Sequence, residues 1–240
     1  MADCKCCAQT CFEKLCMQKV PIFSMLSRDE LTHIASLIRH REYQRGETLV
    51  FEGDSLHTLV VIHEGSVKAF KNTADGREQI LYVFTEGDFF GERDLFGKQR
   101  SACTVEALER VKTCSFSKED FHKLLYLHSN IAVKIIEELE ERLTRMENAM
   151  QSMGVRSLDG RIGALLLDFA GKYGETVPEG ILIRLPLSRE GMANFLGIAR
   201  ETVSRKLGQL ETENVIRSVG NRSILLLNER ALKESSGFPE

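Results

Sequence analysis

The residues with the most chemistry to offer are thiols. Cys4, Cys6, Cys7, Cys11 and Cys16 fall within the first seventeen positions of a chain that has seven cysteines in 240 residues. A thiolate is a soft metal ligand and is easily oxidised, so such a dense group in a reducing compartment points to metal binding or redox sensing rather than to structural disulfides. Cys7-x3-Cys11-x4-Cys16 places three thiols on one short arm. A [4Fe-4S] cluster takes four thiolates, so a further ligand must come from elsewhere in the chain. A zinc ion accepts the same donors. Cys103, alone in a β-rich run, reads as a small buried residue. The six histidines (His33, His40, His57, His63, His122 and His128) are scattered without ligand spacing. There is no Walker loop, G-x-S-x-G elbow or HExxH, so no enzyme is expected.

A second set of residues suits base-edge chemistry. The segment Leu187 to Leu207 has the layout of a helix-turn-helix. Ala193 is small enough to let two helices cross closely, and Gly197 sits in the turn, where positive φ is easy for glycine. Val203 and Leu207 are expected to face inward with Phe195 and Leu196. That leaves Arg200, Glu201, Ser204 and Arg205 outward on the second helix. Arginine donates a bidentate pair to guanine, glutamate accepts from the cytosine amine, and serine bonds either way. The first turn of such a helix enters the major groove. Ser188 and Arg189, which open the first helix, complete the expected DNA-contacting set. Between Arg184 and Arg222 there are seven Lys or Arg and four acids, a basic window inside a chain of net charge −3.

The remaining elements must position these two sets. Residues 1–17 form a cysteine-rich arm. Ser27 and Glu30 make a capping-box pattern, followed by Leu31, Ile34, Ala35 and Ile38 on one helical face. From Tyr43 to Phe116, glycines recur at roughly ten-residue intervals between short β-rich runs such as Leu59–Ile62, Val67–Phe70 and Ile80–Val83, which predicts a jelly roll or barrel. A helix is predicted over residues 129–153. In it Ile136, Leu139, Leu143, Met146, Met150 and Met153 are spaced 3-4-3-4-3, the seam of a two-stranded coiled coil and hence of a homodimer. The competing reading is a core helix of a single chain. A last domain follows: a first helix with Ile162, Leu165, Leu166 and Phe169, a strand at Ile181–Ile183, the two crossing helices, and a hairpin wing around Gly220-Asn221. The expected fold class is α+β, with a sensory barrel over 18–127, a dimerisation helix over 128–155 and a winged helix-turn-helix over 156–240. No window is long and apolar enough to span a bilayer, and no apolar signal core opens the chain, so a cytoplasmic protein without a membrane partner is expected.

Arg200-Glu201-Thr202-Val203-Ser204-Arg205 after a Leu-Gly turn resembles the recognition helix of the CRP/FNR superfamily of transcription regulators, and the resemblance runs from Cys16 to about Asn228. It implies a cyclic-nucleotide-binding-like barrel, a palindromic double-stranded operator and contact with RNA polymerase. It also implies that Glu201 and Arg205 read a G·C-containing core of TTGA…TCAA type. Ser204 is similar to the fumarate-and-nitrate branch, whereas Arg200 matches the cyclic-AMP branch and leaves the outermost base open. Ala107 to Cys114 resembles the strand that carries the distant cluster ligand of the fumarate-and-nitrate branch. The resemblance thus implies Cys7, Cys11, Cys16 and Cys114 as cluster ligands, with Cys4 and Cys6 as alternates, although the arm spacing departs from that branch. A reversible Cys16–Cys114 disulfide resembles regulators of lactic acid bacteria. Gly91-Glu92 and Arg100-Ser101 are similar to the family's phosphate-binding cassette, with a shorter loop between them. That implies a cyclic nucleotide or other small anion as effector, Arg100 supplying charge-assisted bonds to phosphate. The alternative is that Glu92 and Arg100 simply pair and brace the barrel. Met146 and Glu147 stand where the helix would meet the base.

Overall fold

The structure, a computed structural model, describes residues 20–27, 30, 31, 34, 37–97, 99–155, 157–220 and 222–236, with the side chains of 148–155 excepted. The five arm cysteines, His33, and the side chains of Met150 and Met153 lie outside the described residues. The chain divides into two compact units, one made of residues 1–72 and 81–143, the other of residues 73–80 and 144–240.

The first unit begins with Val20 and a short 3-10 turn, Pro21–Phe23. Ser27 and Glu30 then bond reciprocally: the Ser27 amide donates to Glu30 Oε2 at 2.7 Å, and the Glu30 amide to Ser27 Oγ at 3.4 Å. The strands are β1 (Arg39–Tyr43), β2 (Thr48–Val50), β3 (Thr58–Glu64), β4 (Val67–Asn72), β5 (Glu78–Phe84), β6 (Phe89–Phe90), β7 (Thr104–Ala107) and β8 (Val111–Ser117). They form two four-stranded sheets, ordered β1-β8-β3-β6 and β2-β7-β4-β5. Sheet neighbours that are distant in sequence are what a jelly roll produces. Strand alternation sends side chains to two separate cores. Val60 and Ile62 join Val50, Val67, Ala69, Phe84, Phe90 and Val111 in an inner cluster. Leu59 and Val61 turn the other way, with Cys114 and Phe116, to meet the covering helices.

Those helices are α1 (Glu92–Gly97), α2 (Lys118–Leu127) and α3 (Ser129–Val155). Helix α2 lies between the last barrel strand and the long helix. It is opened by Ser117, whose hydroxyl accepts from the Asp120 amide at 3.1 Å, and it buries Phe121 and Leu124. The expected dimer helix is present as α3, but it carries two apolar faces. Ile131 and Ile135 are buried in the outer core and Leu139 packs against it. Ile136, Leu143 and Met146 point away, 65%, 55% and 43% exposed in the single chain. Leu139 therefore belongs partly to the barrel face, because it follows Ile131 and Ile135 at four-residue steps.

The second unit holds α4 (Leu158–Tyr173), β9 (Gly174–Val177), β10 (Gly180–Arg184), α5 (Arg189–Leu196), α6 (Arg200–Thr212), β11 (Ile216–Val219), β12 (Ser223–Leu226) and α7 (Glu229–Ser235). Its sheet is ordered β11-β12-β10-β9, antiparallel between neighbours. Helix starts are set by side-chain caps. Ser157 accepts from the Gly160 amide at 3.2 Å, Ser188 from Gly191 at 3.1 Å and Asn228 from Ala231 at 3.0 Å. Each satisfies a backbone donor that the helix leaves without a partner.

Candidate DNA interface and sensory core

Helices α5 and α6 form the helix-turn-helix. Gly197 closes α5 in the left-handed region, φ +65°, where a side chain would be strained. Met192, Ala193, Val203, Leu207 and Leu210 are fully buried between the helices and their support. Phe195, expected inside, is only half-buried, and Met192 lies fully buried on the same helix. Arg200, Glu201 and Arg205 are exposed, as are Ser188 and Arg189, while Ser204 is half-buried beside them.

The basic window is not all available to phosphate. Lys206 is buried, its ammonium 3.3 Å from Asp159 Oδ2 on α4 and 3.3 Å from Gln209 Oε1. Arg184 pairs with Glu175 across β9 and β10 at 3.3 Å. Glu211, near the end of α6, accepts from the Ser218 amide on β11 at 2.8 Å. The Ser218 hydrogen bonds, with a smaller contribution from Arg189, hold its carboxyl below the usual range. One carboxylate thus fastens the wing strand to the recognition helix.

The second candidate site lies in the first unit. Cys114 on β8 pairs with His40 on β1 and with Val61 on β3. It is 2% exposed, and its Sγ lies 3.5 Å from His40 Nδ1. The same outer core holds Val20, Ile22 and Phe23, the first described residues after the arm. Cys103 packs against the inner cluster, and burial pushes its thiol up. Among the described residues no group of three or more Cys, His, Asp or Glu is placed to hold a metal ion; of the implied thiol ligands, Cys114 alone lies among the described residues. As a donor it fits: a soft ligand, shielded from water, with an imidazole beside it of the kind that tunes metal-bound groups.

The cassette residues each have partners within the barrel or α3. Gly91 holds φ +101°, and a Cβ there would collide with the Thr58 carbonyl, so glycine is required for this close approach. Arg100 is exposed and donates to the Gly53 carbonyl at 3.2 Å. Ser101 donates to the Cys103 carbonyl at 2.7 Å. Glu92 does not pair with Arg100, contrary to the bracing alternative. It pairs with Arg142 of α3 at 3.3 Å, a residue that sequence reasoning did not single out.

A jelly-roll barrel, a long helix with an exposed apolar face and a winged helix-turn-helix together define a DNA-binding transcription regulator. The family model of the cyclic nucleotide-binding domain matches residues 40–127, and that of the Crp-like helix-turn-helix domain matches residues 160–235. The chain is 31% identical over 188 residues to the cAMP-activated global transcriptional regulator CRP of Pasteurella multocida, covering 77% of this chain and 88% of that protein. It is 28% identical over 219 residues to the probable transcriptional regulator flp of Lacticaseibacillus casei, covering 91% and 97%. The structure of FixK2 from Bradyrhizobium japonicum shares the fold, with a TM-score of 0.74 at 24% identity over 85% of this chain and 99% of that one. The chain belongs to the CRP/FNR superfamily. Its relatives are transcription regulators and not enzymes. No described helix is long and apolar enough to cross a membrane.

Proposed function

We propose that this regulator works as a homodimer, senses oxygen or redox state through its arm cysteines and Cys114, and reads a TTGA…TCAA-type palindrome in concert with RNA polymerase. The observation that carries the sensing half is the placement of Cys114. Its thiol is buried in the core that also anchors Val20, four residues after Cys16. Cys114 with Cys7, Cys11 and Cys16, or with Cys4 or Cys6 in their place, would hold a [4Fe-4S] cluster, which would supply an oxidant-labile link between arm and barrel. His40 Nδ1 would orient or polarise the Cys114 sulfur. Because Cys114 shares its core with Ile131 and Ile135 of α3, a change in its packing bears on the dimer helix. The seam of Ile136, Leu143 and Met146, continued by Met150 and Met153, then sets the separation of the two recognition helices. That separation must match about one turn of DNA, or 34–36 Å. The mechanism is a shift of population between two dimer geometries.

The second reading is a cyclic nucleotide or other small anion as effector at Gly91, Glu92, Arg100 and Ser101, which the family's barrel supports. The carboxylate that would meet a ribose is engaged by Arg142, and Arg100 is held by Gly53.

The test is iron and acid-labile sulfide content of protein purified without oxygen, with the visible spectrum before and after air, on wild type and Cys114→Ala. Near-equal iron and sulfide, bleached by air and lost in the variant, support the cluster. A colourless, iron-free protein that stays so on reconstitution overturns it. In that case mapping a Cys16–Cys114 disulfide after oxidation, or finding bound zinc, assigns the thiols instead.

A further inference from the structure

The stripe that α6 buries reads Val203, Lys206, Leu207 and Leu210, an apolar series at helical spacing with one cation in it. Lys206 is 7% exposed. Its ammonium lies 3.3 Å from Asp159 Oδ2 and 3.3 Å from Gln209 Oε1. Gln209 in turn donates to Glu213 Oε1 at 2.7 Å, so the network runs on along α6. Asp159 belongs to the first turn of α4, two residues after its cap Ser157 and four after Val155, where α3 ends. The Asp159 side chain is 55% exposed, so the lysine stem crosses the buried face and delivers its ammonium to a carboxylate at the edge.

Stability does not ask for a lysine here. An apolar side chain would continue the stripe, and replacing a buried ion pair by apolar packing is often neutral or stabilising. What the pair adds is register. Apolar ridges in apolar grooves tolerate a spread of crossing angles of roughly 15–20°. A buried cation has one place where its charge is met. We infer that Lys206 is a positioning residue: with Asp159 it fixes how the recognition helix lies on α4, and hence where Glu201 and Arg205 point relative to the end of the dimer helix. Glu211 holds the same helix to the wing strand, so α6 is fastened to its neighbours at two places. Lys206 does this without meeting DNA.

The consequence is in half-site spacing, and here the inference rests on the homodimer proposed above. Moving one half-site by a base pair shifts it by about 3.4 Å and turns it by about 35°. Two recognition helices held in one direction tolerate that poorly. Helices free to roll on α4 tolerate it.

The experiment varies the spacing. Full-length wild type, Lys206→Met, Lys206→Arg and Asp159→Asn are titrated by fluorescence anisotropy with a palindrome selected by the wild-type protein. Copies with one base pair more or fewer between the half-sites, and a single half-site, are titrated in the same way, and melting temperatures are recorded. The wild type is expected to prefer its own spacing by at least tenfold. In Lys206→Met that preference falls below threefold, while half-site affinity and melting temperature stay close to those of the wild type. Lys206→Arg, which keeps the cation, keeps the preference. Asp159→Asn reproduces the loss, and adding it to Lys206→Met costs nothing more, as the two ends of one contact should. A Lys206→Met protein with the wild-type preference overturns the inference. So does one that melts lower and loses affinity for every probe alike, which is what a merely structural lysine would give. Should Lys206→Met not fold, Asp159→Asn decides by the same ratio, because its loss of charge leaves the buried face filled. A wild type indifferent to spacing would instead fail the two-half-site reading itself, which keeps the two failures apart.

Discussion

At the scale of single residues, the helix-turn-helix surface separates into exposed side chains free to meet DNA in the proposed function and side chains that only look as if they should. Glu201 and Arg205 are exposed on the first turns of α6. Their removal is expected to cost about 1–3 kcal/mol each, roughly 5- to 150-fold in operator affinity, with little change in stability. Fluorescence anisotropy and thermal melts on Glu201→Ala check both halves. Lys206 and Arg200 give a sharper contrast. Lys206 is committed to Asp159, so Lys206→Met is expected to leave the salt dependence of DNA binding unchanged. Arg200→Ala lowers the log–log salt slope by about one if Arg200 meets a phosphate, and relaxes base preference if it meets a base. Counting formal charge along the window put Lys206 among the basic face. The signal for its true direction was present: it lies three residues after Val203 and four before Leu210, on the buried stripe of the helix. Arg142 was hidden in the same way, continuing the stripe of Ile131, Ile135 and Leu139. Periodicity was legible at both positions, but a charge at the end of a stripe is read as its edge unless the partner is known. Asp159 and Glu92 are tens of residues away, where no local pattern connects them.

At the scale of elements, α3 and the wing carry opposite lessons. The heptad spacing marks an apolar stripe but could not show that the helix has a second face, because Leu139 packs against the barrel core as well as belonging to the series. Among the described side chains of α3, the exposed large apolar ones are Val133, Ile136, Leu143 and Met146, and the last three belong to the heptad series. Leu143→Asp is therefore expected to leave the barrel folded and to convert a dimer into a monomer in sedimentation velocity. Operator affinity should fall by at least tenfold, since two half-sites are no longer bound together. The wing hairpin was legible from its Gly-Asn turn between β-rich runs. Its fastening through Glu211 was not, since a hydrogen bond from the Ser218 backbone leaves no trace in residue type. The folded-state pKa of Glu211 lies below its unfolded value, so its contribution is complete above the unfolded pKa and is lost as pH falls through the folded one. Hydrogen exchange at the Ser218 amide checks this. Above the ordinary carboxylate pKa near 4.5, protection in wild type should exceed that in Glu211→Gln, and the difference should close as the solution is acidified below it.

At the scale of the whole molecule, the proposed function requires two kinds of encounter before DNA is read. One joins two chains along α3, and its extent rises and falls with protein concentration. The other joins the arm to the barrel, and here the burial of Val20 in the same core as Cys114 has a consequence. Cys16 precedes Val20 by four residues, which span at most about 14 Å. In the proposed function an arm thiol would therefore meet Cys114 at a local concentration on the order of millimolar, as for any short tether. Few diffusing partners in a cell reach that value. Chemistry between arm and barrel would then proceed at a rate indifferent to how many copies of the protein are present, whereas pairing and operator occupancy would follow copy number. A cell can raise or lower the amount of this regulator to set how many sites are filled without altering how quickly each molecule responds.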